Sequence, residues 1–182
     1  PLITENVYIT SISCLAEQKT IIYRQNTKET NGYQLFEFDI NTNKITQLTD
    51  MPRSIQSYAF KNKDEIFFVM QEEMPKERKE LNKKGIDVKI FEEELLHLEL
   101  YKYNLKTKEL LKFFGGATVY DFAISPDGKK IAAAISEKNH IDYKYMFQSI
   151  HIIDAESGEV LKRISNPGKL GKMVWSPDSK RL

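Results

Sequence analysis

The sequence predicts an all-β protein: a partial β-propeller of about three four-stranded blades with the start of a fourth. Turn-forming segments between strand-like runs recur along the chain, and each recurring unit holds two hairpins, hence four strands. Four-stranded units that repeat every forty to fifty residues or so are typical of propeller blades. Helix signals are scarce outside one segment, which excludes a helical solenoid, and a β-sandwich would lack this repeat.

The best-formed hairpin lies in the third unit. Residues 120–124 alternate between large apolar and smaller or polar side chains, the period of a half-buried strand. The following Ser-Pro-Asp-Gly at 125–128 suits a type I turn, and we expect Gly128 to adopt a positive φ. The apolar run at 131–135 then predicts a strand buried on both faces.

Spacing along the chain establishes the repeat. The last apolar residue before each hairpin tip is Cys14, Phe60, Ile124 or Trp175, and a polar residue that opens a second turn is Asp39, Asn104 or Asp154. From each second anchor to the next first anchor the spacing is 21, 20 and 21 residues, whereas from first to second it is 25, 44 and 30. The variable length therefore falls in one connection inside each unit.

These spacings divide the chain into units. We expect residues 1–182 to be a fragment of a single β-propeller domain, with blades at about 8–52, 53–116 and 117–168 and the next blade starting at 169–182. The hairpin pattern begins again in that last segment, with Ser179 where the third unit has Gly128. The first residue is not methionine, which also favours a fragment.

A charged insertion at about 71–98 interrupts the second unit, and 14 of its 28 residues are charged. Pro75 and Gly85 delimit a short helix near 76–84, the one helix that we expect in the chain. Ile86, Val88 and Ile90 then alternate like a strand. The charge density favours a solvated excursion at the rim, and the alternative is a flap beside a substrate route or an adjoining domain.

Composition limits the possible partners. The net charge is +1, from 27 basic and 26 acidic residues, which gives no support to a nucleic-acid or membrane partner. The single cysteine, Cys14, cannot form an intrachain disulfide, which fits a reducing compartment such as the cytoplasm.

Candidate catalytic residues all have simpler structural explanations. Ser125 and Ser176 open turns next to Asp127 and Asp178, and neither lies in a Gly-x-Ser-x-Gly nucleophile elbow. The remaining candidates lack ligand or phosphate-binding spacing: His97, His140, His151, the Gly115-Gly116 pair and the packing residue Trp175. The sequence therefore predicts no catalytic, cofactor-binding or metal-binding residue, and no cofactor.

Residues 125–132 and 175–182 resemble the TolB-like propeller repeat, which occurs in periplasmic TolB proteins and in the N-terminal propellers of the prolyl oligopeptidase family. The stretch 68–104 is similar to early blades of acylaminoacyl-peptidase-like members, which often carry a long charged insertion. This resemblance implies a non-catalytic propeller that caps an α/β-hydrolase domain of the same full-length chain and restricts the passage of peptide substrates. The alternative is a TolB-like, periplasmic scaffold that binds a protein partner and has no enzymatic domain.

Overall fold

The computed structural model describes residues 8–15, 19–86, 95–165 and 169–182 of the chain. Within them lie three four-stranded antiparallel sheets, each with its strands in chain order. The first sheet contains β1 (Tyr8–Leu15), β2 (Thr20–Asn26), β3 (Gln34–Asp39) and β4 (Lys44–Gln47). The second contains β5 (Ile55–Phe60), β6 (Glu65–Gln71), β7 (Leu98–Asn104) and β8 (Leu110–Phe114). The third contains β9 (Thr118–Ile124), β10 (Lys130–Ser136), β11 (Ser149–Asp154) and β12 (Val160–Ser165).

The up-and-down order of the strands gives the sheets two different ends. Turns between first and second strands and between third and fourth strands lie at one end, which we call the tip face. Links from second to third strands and from one sheet to the next lie at the other end, which we call the connection face. The charged insertion joins β6 to β7 and so belongs to the connection face. The variable length of the repeat falls in the second-to-third connections, as predicted.

The predicted turn at 125–128 is present, and its geometry is repeated in the last segment. The N–H of Gly128 donates to the carbonyl oxygen of Ser125 at 2.8 Å, and that of Ser179 donates to Ser176 at 2.9 Å. Gly128 has a φ of 70°, which confirms the predicted left-handed conformation, and Ser179 has a φ of 59°. The two tips therefore have the same backbone conformation although only one contains glycine.

Apolar clusters lie between neighbouring sheets. Leu35 of the first sheet packs with Ile66 and Phe68 of the second, and Phe67 on the opposite face of β6 packs with residues of the third sheet. All five residues at 131–135 of β10 are buried, so the predicted two-sided burial is confirmed. Ala133 faces the second sheet, whereas Ala132 faces Met173 in the last segment. Small side chains on this strand let neighbours approach closely from both sides.

One prediction about local structure is wrong, and another falls mostly on residues that the structure does not describe. Besides α1 (Lys76–Lys83), which matches the expected helix, the chain has a second short helix, α2 (Ile141–Met146). It forms because His140 caps it, with its Nδ1 accepting a hydrogen bond from the N–H of Asp142 at 3.3 Å. The strand expected at 86–90 is not seen at Ile86, whose N–H donates back to Leu81 after the helix; Val88 and Ile90 lie outside the described residues.

The last segment, 169–182, contains the repeated turn but no strand. A strand requires a hydrogen-bonded neighbour, and none of the described residues pairs with the extended stretch before Ser176. Trp175 nevertheless packs on the third sheet, and its indole Nε1–H donates to the carbonyl oxygen of Ala123 at 3.0 Å.

Candidate functional site

Both candidate serines belong to the hydrogen-bond networks of their own turns. Ser125 Oγ lies 2.6 Å from Asp127 Oδ1 and accepts a hydrogen bond from the N–H of Lys130 at 2.9 Å. Ser176 makes the same two contacts in the last segment, at 2.6 and 2.8 Å. The hydrogen bond from Ser125, followed by that from the Lys129 N–H, lowers the pKa of Asp127 below its usual value. These contacts stabilise the two turns. Among the described residues, no histidine is a hydrogen-bond partner of either hydroxyl group.

The three histidines have separate local roles. His97 Nδ1 lies 2.8 Å from Thr118 Oγ1, and His140 caps α2. His151 on β11 is only 5% exposed, and its Nε2 lies 3.0 Å from Ser149 Oγ. Burial, with a smaller effect of Arg163, lowers the pKa of His151. The structure does not bring these rings together.

Two kinds of feature are absent from the part of the chain that the structure describes. In residues 8–15, 19–86, 95–165 and 169–182, no group of three or more His, Cys, Asp or Glu side chains is placed to hold a metal ion. No helix in those same ranges is long and apolar enough to cross a membrane.

A buried carboxylate that the sequence analysis did not identify lies near the connection face. Glu99 is only 2% exposed, and it accepts hydrogen bonds from the Tyr101 hydroxyl at 2.8 Å and from Lys112 Nζ at 3.0 Å. Burial and then Glu99 raise the pKa of Tyr101 to about 12. A Cβ atom at Gly115 would lie 2.7 Å from Glu99 Oε1, so any other residue there would require the Glu99 side chain to shift. Glu99 is thus satisfied inside the second sheet, and the absence of a side chain at Gly115 leaves room for it.

The base of the charged insertion is firmly tied. The N–H of Glu72 donates to the carbonyl oxygen of His97 at 2.8 Å, and the N–H of His97 donates to Glu72 Oε1 at 2.7 Å. Asn139, in the β10–β11 connection, donates from Nδ2 to the carbonyl oxygen of Leu96 at 2.7 Å. Contacts to Thr118 and Asn139 therefore hold the insertion base against the third sheet. Helix α1, farther out, buries none of its residues.

Close to this base, α2 and the residue that follows it expose a group of apolar side chains, which we call the aromatic patch: Ile141, Tyr145, Met146 and Phe147, exposed by 58, 50, 46 and 63%. The sequence analysis missed this patch. The signal was the run Tyr-Lys-Tyr-Met-Phe at 143–147, which fits no strand alternation and falls in a connection of variable length. Exposed apolar side chains that cluster in this way often mark an interaction site.

No protein-family model and no curated protein matches the chain. Among solved structures, TolB from Acinetobacter baumannii superposes with a TM-score of 0.65 and 17% identity over 98% of this chain and 38% of its own. A putative TolB from Agrobacterium tumefaciens gives 0.59 and 15%, over 90% and 52%. A puromycin hydrolase gives 0.53 and 13%, over 90% and 22%.

The sheets and these superpositions define the chain as part of a β-propeller, as predicted. More particularly, the fold is that of a TolB-like propeller, which a hydrolase shares, so the predicted resemblance is confirmed for the fold. The chain spans about half or less of each of these three proteins.

Proposed function

We propose that this chain is the non-catalytic propeller of a prolyl-oligopeptidase-like serine peptidase. In this proposal the propeller caps an α/β-hydrolase domain of the same full-length protein and restricts the entry of peptide substrates. The observation that carries the non-catalytic part of the proposal is the hydrogen bonding of the candidate serines, since Ser125 and Ser176 are each held by their own turn. A TolB-like fold that also occurs in a hydrolase supports the pairing with a catalytic domain.

The charged insertion fits the role of a flap in this proposal. Its base is fixed by Glu72, His97 and Asn139, whereas α1 buries no side chain. An element that is anchored at its base and has few buried contacts beyond it opens at low energetic cost. It would border the substrate route, and the charges on α1 would contact the solvent or the substrate.

A second candidate is a protein-binding scaffold without an enzymatic domain. It is favoured by the higher TM-scores to the two TolB structures, 0.65 and 0.59 against 0.53 for the hydrolase. The two candidates also differ in place: the peptidase would act in the cytoplasm and the scaffold in the periplasm.

The test uses the full-length protein and a serine-reactive phosphonate probe. A serine hydrolase needs a nucleophile, a base within hydrogen-bond reach and oxyanion donors. We expect the probe to label a serine in a Gly-x-Ser-x-Gly elbow outside residues 1–182, and short peptides to be cleaved faster than folded proteins. A full-length coding sequence without such an elbow would rule out the peptidase proposal, and the protein-binding scaffold would remain. Labelling of Ser125 or Ser176 would contradict the non-catalytic role itself.

A further inference from the structure

The aromatic patch is carried on a segment whose backbone is held in place. The Tyr120 hydroxyl group lies 3.0 Å from the carbonyl oxygen of Lys138 and 3.2 Å from that of His140, and donates to this pair. Ser136 Oγ donates to the same Lys138 oxygen at 2.8 Å, and Asn139 is bonded to the insertion base. A surface that is ordered before binding loses less conformational entropy when a partner docks. The exposed side chains of α2 therefore lie on a surface that is already ordered before a partner binds.

Lysine ammonium groups surround the rings of this segment. Lys138 Nζ lies 5.7 Å from the ring centroid of Tyr143, and Lys144 Nζ lies 5.9 Å from that of Tyr145. Lys169, from the last segment, lies 6.0 Å from the same Tyr145 ring. The face of an aromatic ring attracts a cation, so these contacts concentrate positive charge beside the apolar side chains. An ammonium group has three donors, and one held over a ring can still donate to a carboxylate.

The acidic residues in the described part of this segment do not pair with the segment's own lysines beside the rings. Asp142 Oδ2 lies 3.7 Å from His140 Nδ1 at the beginning of α2, and Glu137 precedes the loop on its β10 side. In the part of the chain that the structure describes, neither carboxylate forms an ion pair with Lys138 or Lys144. A partner that brings carboxylates to those lysines would gain charge-assisted hydrogen bonds, whereas a basic partner would be repelled.

We propose that the aromatic patch, together with Lys138 and Lys144, binds a segment of a separate partner protein in which apolar side chains are flanked by Asp or Glu. The apolar side chains would cover Tyr145 and Phe147, and the carboxylates would pair with the lysines. An anionic membrane offers related chemistry, but adsorption to it scales with the apolar area inserted. Three side chains on a six-residue helix and one directly after it make a small contact of that kind, so a protein segment fits better. This inference stands apart from the proposed peptidase role.

The experiment selects ligands from a phage-displayed library of random twelve-residue peptides, with the full-length protein as bait. We expect the recovered peptides to be enriched in Leu, Ile or Phe next to Asp or Glu. The double variant Tyr145→Ser/Phe147→Ser and the charge reversal Lys138→Glu/Lys144→Glu should each weaken their binding at least tenfold. The matched controls Leu111→Ser/Leu161→Ser, at similarly exposed apolar positions on β8 and β12, should leave it unchanged.

Three outcomes would overturn the inference. One is recovery of no peptides, or of peptides without acidic residues. A second is equal loss of binding in the β8 and β12 controls. A third is binding to phosphatidylserine vesicles that depends on Tyr145 and Phe147 while no peptide is retained, which would assign the patch to a membrane surface. None of these outcomes bears on probe labelling of a hydrolase domain, so the inference and the proposed function can fail separately.

Discussion

The backbone N–H of Asp127 donates a hydrogen bond to Ser179 Oγ at 3.0 Å. Asp127 lies in the turn of the third unit and Ser179 in the turn of the last segment, so the bond joins the equivalent turns of successive repeats. Ser179 is 6% exposed and has a φ of 59°. Glycine would adopt this conformation with less strain, but it would remove the hydrogen-bond acceptor.

Replacing Ser179 separates these two effects. Ser179→Ala keeps the positive φ and leaves the Asp127 N–H without its protein acceptor, so we expect the free energy of unfolding to fall by about 1 kcal/mol. Ser179→Gly loses the same bond but relieves the backbone, and its loss should be smaller. Urea unfolding of both variants measures the difference. A larger loss for glycine than for alanine would contradict this account.

Gly128 is the residue of the third unit that corresponds to Ser179. Its φ of 70° favours glycine, while a Cβ atom there would meet only ordinary contacts, the nearest being Lys61 Cγ at 3.6 Å. Gly128→Val should therefore lower the free energy of unfolding by about 1 kcal/mol or more, because of backbone strain rather than a clash.

The matched control is Gly171→Val. Gly171 has no positive φ, and nothing lies within 4 Å of a Cβ atom built there. We expect its thermal melting temperature to change little. Equal shifts for the two variants would show that the special backbone at Gly128 has no energetic effect.

The repeat could be predicted from the sequence because its signals are local. Alternation around Phe122 and the Ser-Pro-Asp-Gly turn depend only on neighbouring residues, and the structure has a strand and a turn there. Contacts between sheets could not be predicted in this way. Arg24 on β2, for example, donates to the carbonyl oxygen of Ile55 on β5 at 2.9 Å. Such bonds depend on how two sheets are placed, which no periodicity records.

Local sequence signals were also insufficient in the connections between strands. Helix α1 was predicted from its proline and glycine boundaries, whereas α2 begins at a histidine, a less common capping residue than serine or aspartate. The aromatic run at 143–147 lacked a helical or strand period over so short a length. Buried Glu99 was missed for a related reason, since a charged residue is assigned to the surface unless its partners are known. Its partner Tyr101 lies two residues away on β7, whereas Lys112 comes near Glu99 only once β7 and β8 pair.

The charged insertion should be the first site of limited proteolysis. Helix α1 buries no residue, and its ion pairs, such as that between Lys83 and Glu80, are exposed, so its local stability is low. We expect trypsin to cut first between Glu72 and Glu94, as mass spectrometry of early digests would show. The nicked halves should still co-elute on size exclusion, because Glu72 and His97 hold the base. First cleavage in the third unit, at Lys129 or Lys130, would contradict the prediction.

The stability of the chain should depend on pH through His151. Burial keeps its folded-state pKa below the unfolded value of about 6.5. The unfolded chain therefore binds the proton more readily, and the free energy of unfolding should fall as the pH drops below about 6.5. The fall continues until the pH reaches the lowered folded-state pKa. Above pH 7 this group contributes no pH dependence, because it is neutral in both states.

His151→Gln tests this dependence while its amide can still reach Ser149. Urea midpoints of the variant and of the unchanged protein should have a constant difference from pH 8 to 7. The difference should then change in favour of the variant as the pH falls below 6.5, because glutamine does not titrate. His97 and His140 remain in both proteins, so their titration cancels in the comparison. Parallel curves across the whole range would show that His151 is as easily protonated in the folded chain as in the unfolded one.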